Sequence, residues 1–143
     1  MSLWSYCSIC NNVKVVFNKD FNAWTLPAGH VEINDSWQSA IKTEMAEEAG
    51  LFAEEKDLLP FATISGPGYK CEYPNGDKTR PFTLVFVCER FAEKQLSDTE
   101  EIADKKWIEL SDVDTLPLTY NAKAILDAYK EYIKTNIFQQ IVL

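Results

Sequence analysis

The sequence predicts a single α/β domain in which a mixed set of strands is layered against two helices. Short β-branched or aromatic runs recur between turn signals, and two stretches repeat apolar residues at helical spacing. The length of 143 residues suits one core and leaves little room for a second module, so residues 1–143 are read as one unit.

In chain order, Tyr6 to Cys10 and Val13 to Phe17 read as strands joined by Asn11 and Asn12, a pair that tolerates the left-handed conformations of a tight hairpin turn. Trp24 to Leu26 forms a short strand stopped by Pro27, and Ala28 to Asn34 reads as a loop. A helix follows from about Ser36 to Ala49, with Asp35 as N-cap, Gln38 as its capping-box partner and Gly50 as the stop. After the acidic connector Glu54 to Asp57, strands are expected at Phe61 to Ile64, Tyr69 to Tyr73 and Phe82 to Glu89, with a turn at Asn75-Gly76. The polar segment Ser97 to Asp104 leads to a strand around Lys106 to Glu109. The final helix spans Tyr120 to Lys134, because Ala122, Ile125, Leu126, Tyr129 and Ile133 fall on one face. The apolar tail Ile137 to Leu143 either packs on the body or joins a dimer interface.

A net charge of -8, from 22 acidic and 14 basic side chains, argues against tracking along DNA or RNA. An anionic substrate then needs a cation as mediator. Apolar residues make up 46% and aromatics 13% of the chain, ample for a core, yet no run approaches the roughly 18 apolar residues of a membrane span. The stretch Met1 to Cys10 lacks the pattern of a secretory signal, so the cytoplasm is the expected location. Cys7, Cys10, Cys71 and Cys88 are not spaced as two close zinc-binding pairs, and the one histidine, His30, lies elsewhere. Buried, reduced thiols are expected.

The stretch Leu26 to Leu51, LPAGHVEINDSWQSAIKTEMAEEAGL, carries the chemistry. At about 100° per residue, Glu47 and Glu48 fall within roughly 60° on either side of Glu44, so the three carboxylates share a helix face. Trp37, Ala40 and Ile41 occupy that face one or two turns earlier, whereas Gln38, Ser39, Lys42 and Ala46 lie opposite. Charges that continue an apolar stripe are expected to look inward, where they repel one another. Lys42 is on the wrong face to compensate, and a divalent ion is the economical partner. Magnesium favours oxygen ligands, a few of them carboxylates, with water and phosphate oxygens as the rest. Taken alone, EMAEE is more commonly a solvated acidic helix face.

With the loop before it, the stretch resembles the Nudix signature: a glycine, a gap of five, an acidic residue, a gap of seven, Arg-Glu, an apolar residue, any residue, Glu-Glu, any residue, Gly and an apolar residue. Gly29, Glu44, Met45, Glu47, Glu48, Gly50 and Leu51 match in register, and Trp24, Leu26, Pro27 and Glu32 also look like the family. The resemblance extends from the N-terminal hairpin through Trp107 and the final helix. It implies an α/β/α sandwich with a mixed sheet and a MutT-like Nudix hydrolase. The implied reaction is Mg2+-dependent cleavage of a diphosphate linkage in a nucleoside triphosphate, nucleotide sugar or similar compound, with Mn2+ as a substitute cofactor. Carried over residue by residue, Glu44, Glu47 and Glu48 become metal-binding and catalytic residues, and the Ala28 carbonyl contributes from the loop. Outside the box, Glu100 is the expected further ligand and Glu101 the carboxylate that activates water, with Asp104 behind them. No nucleophilic side chain is required.

Substrate contacts are expected from Lys19 and Arg80, with Lys78, toward outer phosphates, and from Tyr69, with Tyr73, Phe21 and Tyr6, toward a base. At strand spacing such aromatics also complete cores. The expected partner is a small nucleotide-like diphosphate, with no nucleic-acid polymer and no membrane, and a homodimer stays open.

Two positions depart from the family pattern. Asp35 replaces glutamate and has a local role as N-cap. Thr43 replaces the arginine thought to pair with box carboxylates, so a hydroxyl hydrogen bond is expected where the ion pair is gone. These departures motivate the alternative of a catalytically weak or silent Nudix-like module that binds a nucleotide or another protein. An isoprenoid-diphosphate isomerase would share the fold but has no support in the residues.

Overall fold

Alternation along Thr83–Cys88 sets the architecture. Val85 and Val87 enter one core while Leu84, Phe86 and Cys88 enter another, and all six residues of the strand are buried. A strand apolar on both faces must be covered on both. The computed structural model describes residues 2–9, 11–72, 75–95 and 99–143, of which residues 2–9 and 71 are described by backbone alone.

The strands before the first helix are β1 (Ser2–Ile9), β2 (Asn12–Asn18), β3 (Ala23–Thr25) and β4 (Ala28–His30). Helix α1 (Trp37–Glu44) continues as a wider π turn over Met45–Ala49. Next come β5 (Leu51–Phe52), β6 (Leu58–Ser65), β7 (Cys71–Glu72), β8 (Lys78–Thr79), β9 (Thr83–Cys88), β10 (Ala92–Glu93) and β11 (Ile102–Glu109), and the chain ends with α2 (Tyr120–Thr135) and β12 (Gln139–Val142). An eight-stranded sheet runs β11-β2-β1-β9-β6-β12, with β3 on β2 and β4 on β1. It is mixed: β1 is parallel to β9 and β12 to β6, and the other pairings are antiparallel. Helix α2 buries Ile125, Leu126 and Tyr129 against one face, with Phe61 edge-on to Tyr129. Helix α1 and its continuation bury Ile41 and Met45 against the other, with Val16, Leu84 and Phe86. This is the expected α/β/α sandwich.

Several elements differ from the sequence reading. The segment after Pro27 is a strand, because one edge of β1 is shared: residues 8–9 pair with β2, and residues 2–4 pair with Ala28–His30. The apolar tail packs on the body as β12, alongside β6. Helix α1 is capped by Ser36, not Asp35, since the Ser36 hydroxyl accepts the Ser39 N–H at 3.0 Å. The cap therefore falls one residue later, and the Asp35–Gln38 capping box gives way to a turn in which Asp35 donates its N–H to Glu32. Asn11 adopts the left-handed conformation at φ 68°. Of the expected strand Tyr69 to Tyr73 only Cys71–Glu72 pairs, and Tyr73 lies outside the described residues, as do Cys10 and Ser97. Cys88 is buried, and its thiol donates to the Arg90 carbonyl at 3.4 Å. Among the described residues no helix is long and apolar enough to cross a membrane.

Candidate active site

The box helix enters the site with its carboxylates on the side of β4. Its last turn is widened: the Gly50 N–H reaches the carbonyls of both Ala46 and Met45, and Gly50 takes the left-handed conformation at φ 68° that ends the helix. An i→i+5 closure rotates residues relative to a regular helix. The single face expected for three glutamates accordingly separates. Glu44 and Glu48 are half-buried, whereas Glu47 is exposed at the rim.

Two backbone features of β4 receive the inward pair. The Ala28 N–H donates to Glu48 Oε2 at 3.0 Å. Glu44 lies over Gly29, where a Cβ would overlap its carboxyl group. The box glycine is thus required by a close approach, not by its φ. Gly29→Ala should leave the fold intact, because the overlapping atoms belong to a side chain that can swing away. Displacing that carboxylate should reduce turnover by up to about 100-fold, the scale of an ångström-sized misplacement. Steady-state kinetics at saturating Mg2+ beside far-UV circular dichroism check this, and unchanged turnover would count against it.

Burial pushes the Glu48 carboxyl up to about 8; the Ala28 N–H opposes this, and the charges of Glu44, Glu101 and Glu47 add to it. Burial likewise raises Glu44 to about 7, reinforced by Glu47 and Glu101. The neighbouring charges acting on this pair are all negative. Glu101 is thereby brought to the box glutamates from the start of β11, while adjacent Glu100 is not among the charges that raise either group. Asp104 accepts the N–H of its neighbour Lys105 at 2.8 Å.

The predicted substrate residues fare differently. Lys19 is tied to the Glu101 loop, its N–H donating to the Glu101 carbonyl at 2.8 Å and its ammonium to the Thr99 carbonyl at 2.9 Å. Tyr69 is a core residue, 4% exposed on the α2 side, with its hydroxyl 2.8 Å from Thr83 Oγ1. Burial there removes it from any stacking role. Arg80 and Lys78 are exposed at the base of the β7–β8 hairpin. Phe21 is exposed in the β2–β3 turn beside Lys19. Asn18 was not singled out by sequence, yet its Oδ1 accepts the N–H groups of Asp20 and Phe21 and shapes that turn. The signal was present, since Asn before Lys-Asp fits a side-chain-capped turn. The Tyr6 side chain, like Tyr73, lies outside what is described.

Thr43 does not replace the missing arginine. Its hydroxyl donates to the Ser39 carbonyl at 3.1 Å, one turn back along the helix, and reaches no carboxylate. Among the described residues no three acidic, histidine or cysteine side chains already surround one cation-sized point. The donor chemistry nevertheless fits a hard divalent ion: anionic oxygens only, two of them proton-holding near neutrality under burial and neighbouring negative charge. A surface groove of about 480 Å³ lined by Asn11, Glu109, Lys130 and Ile133 lies at the other end of β2, away from this cluster.

A mixed sheet between two helical layers, with a loop–helix–loop segment gathering glutamates beside it, is the architecture of the Nudix hydrolase fold. The chain belongs to the NUDIX domain family, whose model matches residues 10–129. Comparison with curated proteins gives no match. Among solved structures, a UDP-X diphosphatase is similar at a TM-score of 0.76 and 18% identity, covering 98% of this chain, which spans only 66% of that one. An ADP-ribose pyrophosphatase from Streptococcus suis aligns at a TM-score of 0.73 and 17% identity over 99% of this chain and 97% of that one. The NUDIX domain of Shewanella oneidensis NrtR, complexed with ADP ribose, aligns at 0.70 and 15% identity, over 92% and 86%. At these identities the likeness is one of fold.

Proposed function

We propose that this protein is a Mg2+-dependent hydrolase of a diphosphate linkage in a nucleoside diphosphate derivative, with Mn2+ able to substitute. The carrying observation is the carboxylate cluster of Glu44, Glu48 and Glu101, two of the three inward-facing, with only negative charges raising that inward pair among the described residues. Glu44, Glu47 and Glu48 would hold the cation, with the Ala28 carbonyl as a further oxygen donor. When bound, the cation neutralises the diphosphate and lowers the pKa of water. Glu101 is the base: exposed beside the inward pair, its carboxylate takes the proton as water attacks phosphorus. Lys19 serves by holding the loop that carries Glu101, and exposed Arg80 and Phe21 are the remaining candidates for phosphate and base. Similar structures named for ADP-ribose and for a UDP derivative support testing these compounds first.

The test incubates the protein with Mg2+ and a panel of nucleoside triphosphates, nucleotide sugars, dinucleotides and ADP-ribose, then assays phosphate-containing products. Turnover of at least one member, abolished by EDTA, is expected. Thr43 favours a second reading, a binding module, because it leaves the carboxylates without their usual counter-charge. No turnover together with tight calorimetric binding of one panel member would establish that reading instead.

A further inference from the structure

A lysine and a glutamate distant in sequence meet on the α1 side of the sheet. Lys14 of β2 alternates with Val13 and Val15, so it projects away from the α2-side core, and it is only 6% exposed. Its ammonium donates to Glu93 Oε1 at 2.7 Å. Trp107, paired with Lys14 across β2 and β11, places its ring centroid 5.4 Å from that ammonium. The indole N–H donates to the same carboxylate, at 3.2 and 3.0 Å to its two oxygens, and Phe91 stacks on the indole at 5.6 Å. The Lys14 hydrogen bond, helped by Trp107, holds the Glu93 carboxyl below the usual carboxylate range.

Glu93 anchors a short strand with a particular neighbour. Ala92 and Glu93 pair with Phe52 and Leu51 of β5, and Lys94 donates its N–H to the Gly50 carbonyl at 2.9 Å. Gly50 closes the widened turn that carries Glu47 and Glu48, with its own N–H divided between two carbonyls. Such a turn has poorer internal hydrogen bonding than a regular helix. It is steadied from outside by β10.

We infer that Lys14, Glu93 and Trp107 form a strut from the main sheet to the end of the box, and are positioning residues for Glu47 and Glu48. The inference rests on the proposed role of those glutamates in holding a divalent cation. The pair is buried at its lysine end and open to solvent at its glutamate end, with side-chain exposures of 8% and 43%, and an ion pair with one exposed partner contributes little to stability by charge alone. Its effect belongs to the geometry of the turn.

Glu93→Gln, which leaves one acceptor for two donors, Lys14→Met and Trp107→Phe are each compared with the unmodified chain. Mn2+ affinity is read by electron paramagnetic resonance, and amide hydrogen exchange over residues 45–51 is followed without metal. Affinity should weaken about 10-fold, the lower end for residues that orient ligands, exchange over 45–51 should accelerate, and kcat should fall more than KM changes. Trp107→Phe keeps an aromatic ring beside Phe91 while removing the indole N–H and part of the ring area, so it decides the matter if Lys14→Met does not fold. A lowered melting temperature with unchanged Mn2+ affinity and unchanged exchange over 45–51 would overturn the strut alone. Absence of Mn2+ binding by the unmodified chain would instead overturn the proposed site, and the strut with it.

Discussion

Glu48→Gln is expected to lower kcat by about 100- to 1,000-fold, the scale of losing a group that acts on the transition state, while the fold stays native. The amide oxygen of glutamine still accepts the Ala28 N–H, which Glu48 Oε2 accepts at 3.0 Å, so the link between box and β4 survives. What disappears is an anionic oxygen at the most buried point of the cluster. Steady-state kinetics at saturating Mg2+, with circular dichroism as control, make the comparison. Wild-type activity in this variant would remove Glu48 from the site and leave the other acidic residues to account for catalysis.

The second large effect is a fall in the stability of the metal-free protein as pH rises from about 5 to 8. Glu48 is raised to about 8 and Glu44 to about 7 from the ordinary 4.5, with burial as the first cause of each. Below about pH 4.5 both groups are protonated, folded or unfolded, and no proton moves on unfolding. Between that pH and the folded values, the folded chain holds protons that the unfolded chain releases, so each step upward in pH favours unfolding. The loss is complete above about pH 8. Allowing for the partial exposure of both groups, it should be on the order of 2 kcal/mol, or about 5 to 10 °C in melting temperature. Saturating Mg2+ should reverse it through binding to the folded state alone. Glu48→Gln should flatten the profile. A melting temperature that rises over this interval, or ignores Mg2+, would contradict the electrostatic account.

Local patterns in the chain already carried much of this arrangement. The register of Gly29, Glu44, Glu47, Glu48 and Gly50 is a matter of spacing, and the turn at Asn11 and the apolar face of α2 follow from residue type and period. These are short-range properties, decided by what a residue and its neighbours within a turn or two can do. The layered α/β class follows too, because strands apolar on both faces demand cover on both.

Only the tertiary structure decided the rest. Ala28–His30 became a strand because a distant edge of β1 was free to pair, and the tail became β12 because β6 had an edge left. Tyr69 turned from a candidate contact into core when α2 folded over it. That the charge of Glu101, and not that of Glu100, acts on the inward pair depends on the path of a loop fastened by Lys19, some 80 residues earlier. Glu47 moved to the rim because the helix widened in its last turn, and Lys14 became a buried cation because Glu93 and Trp107 came to meet it. In each case the determining partner is remote in sequence. Sequence placed the glutamates on one helix; which of them lose water, and so which of them resist ionising, was settled by what packed against that helix.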